Sequence, residues 1–206
     1  MIDTARFALF LSAATMLALT PGSGMLYVLG RTLHGGRRAG VLAAFGTFVG
    51  GSVHVIAAAF GLAALLATSA TAFEIVRYAG AMYLIYLGIS MIRKRRTESS
   101  RLAERNEPHR HFFQGITTEV LNPKTALFFL SFIPQFVLPA KGHMTLQFLV
   151  LGAISVTLNS AADLLAVAFA ASLARRLKRD PKFGEKQRLV SGAGMIGLGV
   201  YVATSK

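Results

Sequence analysis

The chain has 206 residues, 53% of them hydrophobic, and no cysteine, which excludes disulfides, thiolate metal sites and cysteine nucleophiles. Its formal charge of +13 is gathered in a few basic blocks between long stretches with almost no charge. With a mean hydropathy of +0.53, that pattern describes an integral membrane chain, neither a soluble core nor a nucleic-acid binder.

A helix needs about 20 mainly apolar residues to cross the hydrocarbon core, and this criterion predicts six spans. The first covers residues 7–30; it follows Asp3 and Arg6 without the basic start or small-residue cleavage site of a signal peptide, so it is read as a retained helix. The second covers 41–66, and its Gly46 and Gly50 form a GxxxG pair suited to close packing between membrane helices. The third, 75–92, is short and carries Arg77 near its start, where the side chain can snorkel to the interface. The fourth and fifth cover 112–138 and 146–173, and the sixth, 189–205, is rich in glycine.

Most of the 22 basic residues fall between spans one and two (Arg31, Arg37, Arg38), three and four, and five and six. Short-loop Lys and Arg stay cytoplasmic, which predicts both termini outside. Residues 93–111 are charged, contain Pro108 and read as a cytoplasmic linker dividing a first three-helix repeat, 1–92, from a second, 112–206. The halves align at a constant offset: Leu19-Thr20-Pro21 matches Leu121-Asn122-Pro123, and Gly50 matches Gly152. Repeats of three spans each must be inverted relative to one another. The fold class is therefore all-α, six transmembrane helices in two inverted repeats with helices one and four interrupted, a plan found in many secondary transporters.

The chemistry is concentrated at the two interruptions. Proline removes an N–H and crowds the carbonyl four residues earlier, so Pro21 frees the carbonyl of Leu17 and Pro123 that of Glu119. Thr20 and Asn122 are good N-cap residues and proline suits the first helical position, so each motif reads as one half-helix ending and another beginning. The new N-terminus favours a carboxylate and the freed carbonyls an ammonium group. Thr20, Pro21, Gly22 and Ser23 with Glu119, Asn122, Pro123 and Lys124 are thus the candidate contacts for a zwitterion such as an amino acid. The competing reading is a pair of proline kinks that only shape helix packing.

Ionisable groups within spans are costly and usually face a cavity or a partner. They are His54, Glu119, Lys124 and Asp163, with Asn159 one turn before Asp163. Low dielectric disfavours a charged carboxylate and a nearby lysine restores it, so Glu119 or Asp163 is the expected proton carrier, with His54 a third candidate that packing alone also explains. Lys124 is either a substrate contact or the partner of Glu119 or Asp163. The polar residues of the first span follow Pro21 and those of the fourth precede Pro123, so both are expected to line a cavity open to the cytoplasm.

At these residues the chain resembles the LysE/RhtB family of bacterial amino-acid exporters. The resemblance runs through Thr20-Pro21-Gly22-Ser23, the glycines from Gly35 to Gly50 with His54, Gly80-Ala81-Met82-Tyr83-Leu84-Ile85-Tyr86-Leu87-Gly88, Phe113-Gln114-Gly115, Leu121-Asn122-Pro123-Lys124 and Ile133-Pro134-Gln135-Phe136. One departure is Ser23, where the family usually has a second proline, often followed by a polar residue in place of Gly24. The resemblance implies a multi-pass protein of the bacterial inner membrane, without a cofactor, exporting homoserine, threonine, leucine, lysine or a related metabolite by proton antiport, with homo-oligomerisation an open question. The alternative is a non-transporting membrane subunit or an intramembrane enzyme. The enzyme reading is the poorer, because Asp163 is the one aspartate within a span and His54 has no ligand partner nearby in sequence.

Overall fold

Two prolines and one glycine set the course of the chain. The computed structural model describes residues 4–62, 64, 69–93, 108–179 and 189, and residues 193, 194, 196, 197, 199, 200, 203 and 204. Among them all regular structure is helical: α1 (Thr4–Leu19), α2 (Ser23–Ala57), α3 (Ala70–Arg93), α4 (Pro108–Val120), α5 (Pro123–Leu127) and α6 (Met144–Arg179). A π turn, Ala58–Leu62, follows α2. A second π turn, Phe128–Phe132, and a 3₁₀ turn, Ile133–Phe136, follow α5.

α2 is two helices. Gly36 has φ +78° and ψ −178°, a region open essentially to glycine alone, and the chain folds back there. A Cβ on Gly40 would meet the Thr32 hydroxyl, and Tyr27 and Val28 share an apolar cluster with Ala43 and Ala44. The first arm, residues 23–35, follows α1 after the break at Thr20-Pro21-Gly22. The second arm and its π turn, residues 37–62, measure about 39 Å at 1.5 Å per residue, more than the ~30 Å of a hydrocarbon core. By length and composition, Ser23–Leu62 and Met144–Ala170 can cross a membrane, and α1 is a shorter apolar helix.

Several boundaries differ from the sequence reading. Helix α4 starts at Pro108, inside the expected linker, because proline's fixed φ suits a first helical position. The fifth span continues as helix past Leu173 to Arg179, since neither Pro nor Gly interrupts residues 153–179. Residues 94–107 of the linker and most of the sixth span lie outside the described residues.

α2 packs on α4 and α6, α1 on α6, and α3 on α5 and the π turn that follows it. Lipid tails are as apolar as these side chains, so close packing and polar contacts hold the helices together. Phe128, Phe132 and Phe136 recur every four residues and stack at 5.0 and 4.7 Å between ring centroids, with Phe10 of α1 5.4 Å from Phe136. This buried row joins α1 to the segment after Pro123, and each such ring pair contributes about 0.5–1.5 kcal/mol beyond its area. Gly46 and Gly50 face α4, where a Cβ on Gly50 would stand 2.7 Å from the Ile116 carbonyl and one on Gly46 would meet that of Phe112.

Candidate functional site

The break after α4 forms as the sequence predicts. Pro123 opens α5, and the Asn122 side chain caps it by accepting from the Lys124 backbone N–H at 3.1 Å. The break after α1 is built differently. The Thr20 hydroxyl donates back to the Met16 carbonyl at 2.8 Å, and the extended Gly22 is the residue before α2, with no side-chain cap. Threonine can satisfy itself on the preceding turn, so its hydroxyl does not serve the next helix. Ser23 takes the exposed first position of α2, where proline is equally at home. The departure from the family pattern at this residue therefore needs no change in the course of the break.

Both freed carbonyls are taken up, each in the same way. The Leu17 carbonyl accepts from the Thr20 N–H and that of Glu119 from the Asn122 N–H, at 3.1 and 3.0 Å. Each then gains a basic side chain from another element. The Lys124 ammonium donates to Leu17 O at 3.1 Å and to Thr20 O at 2.8 Å, capping the negative end of α1. His54 meets Glu119 O through Nε2 at 3.0 Å, with its ring stacked on Phe129 at 6.0 Å. A carbonyl only accepts, so that nitrogen carries the ring proton. Lys124 is thus held by backbone carbonyls, not by Glu119 or Asp163.

The Glu119 carboxylate occupies the other pole. It is 1% exposed, accepts from Thr125 Oγ1 at 2.6 Å and Asn122 Nδ2 at 3.0 Å, and reaches the first turn of α2. There a Cβ on Gly24 would collide with its Oε2, so this position has room for the carboxylate only as glycine. A negative group at a helix N-terminus is favourable. The two poles expected to receive a zwitterion therefore hold the chain's own carboxylate and ammonium groups.

Asp163 is fully buried on α6. Its Oδ2 lies 2.8 Å from Thr47 Oγ1 of α2, and Oδ1 has no partner. Thr47 Oγ1 is also 2.9 Å from the Ala44 carbonyl. The Thr47 hydroxyl donates towards both, its one proton shared between the Ala44 carbonyl and Asp163 Oδ2.

Between α1, α2, α6 and the segment after Pro123 lies a cavity lined by Leu17, Thr47, Glu119, Thr125, Phe129 and Asn159 among others. Its free volume is about 20 Å³, room for about one water and too small for an amino acid. Its polar walls include residues on both sides of Pro123. Thr47 and Thr125 were not among the sequence candidates, since a threonine in a membrane helix usually bonds its own preceding turn.

A family model, LysE type translocator, matches residues 15–206. The chain is 29% identical over 201 residues to the homoserine/homoserine lactone efflux protein of Salmonella typhimurium, covering 96% of this chain and 95% of the relative. It is 31% identical over 198 residues to an uncharacterized membrane protein of Vibrio cholerae, covering 96% of each, and 33% identical over 211 residues to one of Pseudomonas aeruginosa, covering 97% and 95%. No solved structure matches the chain. With the all-helical architecture, the two proline breaks and a family match over nearly the whole length, the chain belongs to the LysE type translocator family.

Proposed function

We propose that the protein exports a small amino acid or close derivative, of the homoserine class, across the bacterial cytoplasmic membrane in exchange for protons. The observation that carries this reading is the meeting of the two helix breaks, with an ammonium on the carbonyls of α1 and a carboxylate at the first turn of α2. Substrate ammonium competes with Lys124 for Leu17 O and Thr20 O, and substrate carboxylate competes with Glu119 for the start of α2. Homoserine has both groups and homoserine lactone only the ammonium, so the carbonyl pole is the part of the site that serves both. Basic loops on one side and inverted repeats support both termini lying outside. The narrow cavity between the breaks widens towards the cytoplasm to admit the substrate.

Counterflow in vesicles tests this. Purified chain is reconstituted with unlabelled L-homoserine inside and labelled L-homoserine outside, and transient accumulation of label above equilibrium is expected. Folded protein that gives no counterflow with homoserine, its lactone, threonine, leucine or lysine refutes the export reading and favours a non-transporting membrane subunit.

A further inference from the structure

The polar seam between the first arm of α2 and α4 continues beyond Glu119. Seven residues on from Gly24, two helical turns and about 10 Å along the axis, Arg31 is 4% exposed. Its Nη2 donates to Gln114 Oε1 at 2.5 Å, and its Cζ lies 5.3 Å from the Tyr27 ring centroid. Its Nε is buried without a partner, and among the described residues no carboxylate reaches the guanidinium. On α4, His111 is 3% exposed and its Nδ1 is also buried and unpartnered, while the Tyr27 hydroxyl donates to the His111 carbonyl at 2.9 Å.

A buried charge without a counter-ion is costly. If Arg31 served only to clamp α2 to α4, a glutamate at position 114 would remove that cost; the neutral amide present leaves the charge unspent. A guanidinium fork fits a carboxylate with two parallel hydrogen bonds. The same end of the seam carries exposed Arg37, Arg38 and Arg110, a field that draws anions towards it.

We infer that Arg31, with Gln114 and His111, forms an entry site for the substrate carboxylate at the cytoplasmic end of the seam, distinct from the central site at the helix breaks. This rests on the export reading above. A carboxylate arriving from the cytoplasm parts the Tyr27 and Gln114 contacts that close the seam, takes the unpartnered Nε–H of Arg31, and then passes to the start of α2.

The test compares export of L-homoserine with that of its lactone, which has no carboxylate, in reconstituted vesicles. Arg31→Gln is expected to raise KM for homoserine about tenfold or more and to leave KM for the lactone within about twofold. Gln114→Glu, a nearly isosteric change, places a built-in carboxylate on Arg31 and is expected to do the same while folding normally. Equal losses for both substrates, or a Gln114→Glu protein indistinguishable from the parent, overturn the inference and leave Arg31 a helix clamp. An equal dependence of both substrates on phosphatidylglycerol, lost in Arg31→Gln, assigns the site to a lipid phosphate and also overturns it. If the parent protein moves neither substrate, the export reading fails, and calorimetry with acetate on the full chain still decides the site. Heat of binding lost in Arg31→Gln supports an anion site there; no heat overturns it.

Discussion

Thr47 has one proton to give and two acceptors within reach, the Ala44 carbonyl and Asp163 Oδ2. Glu119 is surrounded by donors, Thr125 and Asn122. The two carboxylates are therefore placed differently: both Glu119 oxygens accept hydrogen bonds, whereas Asp163 Oδ2 shares the one Thr47 proton and Oδ1 has no partner. On this difference we propose Asp163, of the two, as the proton carrier. A proton carrier must take its proton from the outer, more acidic side and release it inside for export to be driven. Asp163→Asn holds the neutral form permanently, so it is expected to abolish efflux driven by a pH gradient while leaving counterflow of homoserine within about threefold. Glu119→Gln is expected to weaken substrate exchange at every pH and keep the gradient dependence. The reverse pattern in vesicles with imposed pH gradients would move the carrier to Glu119. Asp163 and Glu119 were legible in the sequence as costly intramembrane acids, and Thr47 was not. The partner of a buried acid is fixed by helix packing, which no local pattern reveals. The carbonyls that Lys124 caps were hidden for the same reason, since they lie in the first half of the chain.

At the scale of elements, the proline breaks and the GxxxG pair were readable because each acts through its own backbone. A missing N–H or a missing Cβ has the same local consequence wherever the helix goes. The turn at Gly36 falls in the loop expected between the first two spans; of the turns after Pro123, the 3₁₀ turn has a sign in Pro134 and the π turn has none. They let Phe128, Phe132 and Phe136 face Phe10 in one row, an outcome of tertiary packing overriding helical preference. The glycine contact yields a direct expectation. At Gly50 a Cβ would press within 2.7 Å of the Ile116 carbonyl and 2.8 Å of Glu119 Cβ, so α2 and α4 must separate to admit it. Gly50→Val is expected to cost about 1–3 kcal/mol of stability, seen as a lower midpoint in thermal unfolding of the detergent-solubilised protein. Gly61→Ala, with nothing within 4 Å of the added Cβ, serves as the control and should leave the midpoint unchanged within about 0.5 kcal/mol. A Gly50→Val protein as stable as the parent would mean that the close approach of these helices contributes little.

Across the whole molecule, the two breaks repeat one arrangement: a freed carbonyl shared between an N–H three residues on and a basic side chain from elsewhere, Lys124 on Leu17 and His54 on Glu119. Lys124 crosses from the second half of the chain to cap the first, and His54 crosses from the first to cap the second. Neither break is complete within its own half. The same holds for packing, since α2 lies against α4 and α6, and α1 against α6. The faint internal alignment of the sequence could suggest two separable units, but these contacts make the halves mutually dependent. A chain cut in the charged sequence between Arg93 and Pro108 loses none of the contacts described here. Residues 1–100 and 101–206 produced together are therefore expected to associate and restore homoserine export to within about a factor of three of the intact chain. Either half alone should fail to accumulate, because its capped carbonyls, buried acids and glycine faces would meet lipid, where an unsatisfied polar group costs several kcal/mol. Co-purification of one tagged half with the other reads the association, and vesicle counterflow reads the function. A single half that is stable and active alone would overturn a site shared across the breaks, because Lys124 would then have no Leu17 or Thr20 carbonyl to hold.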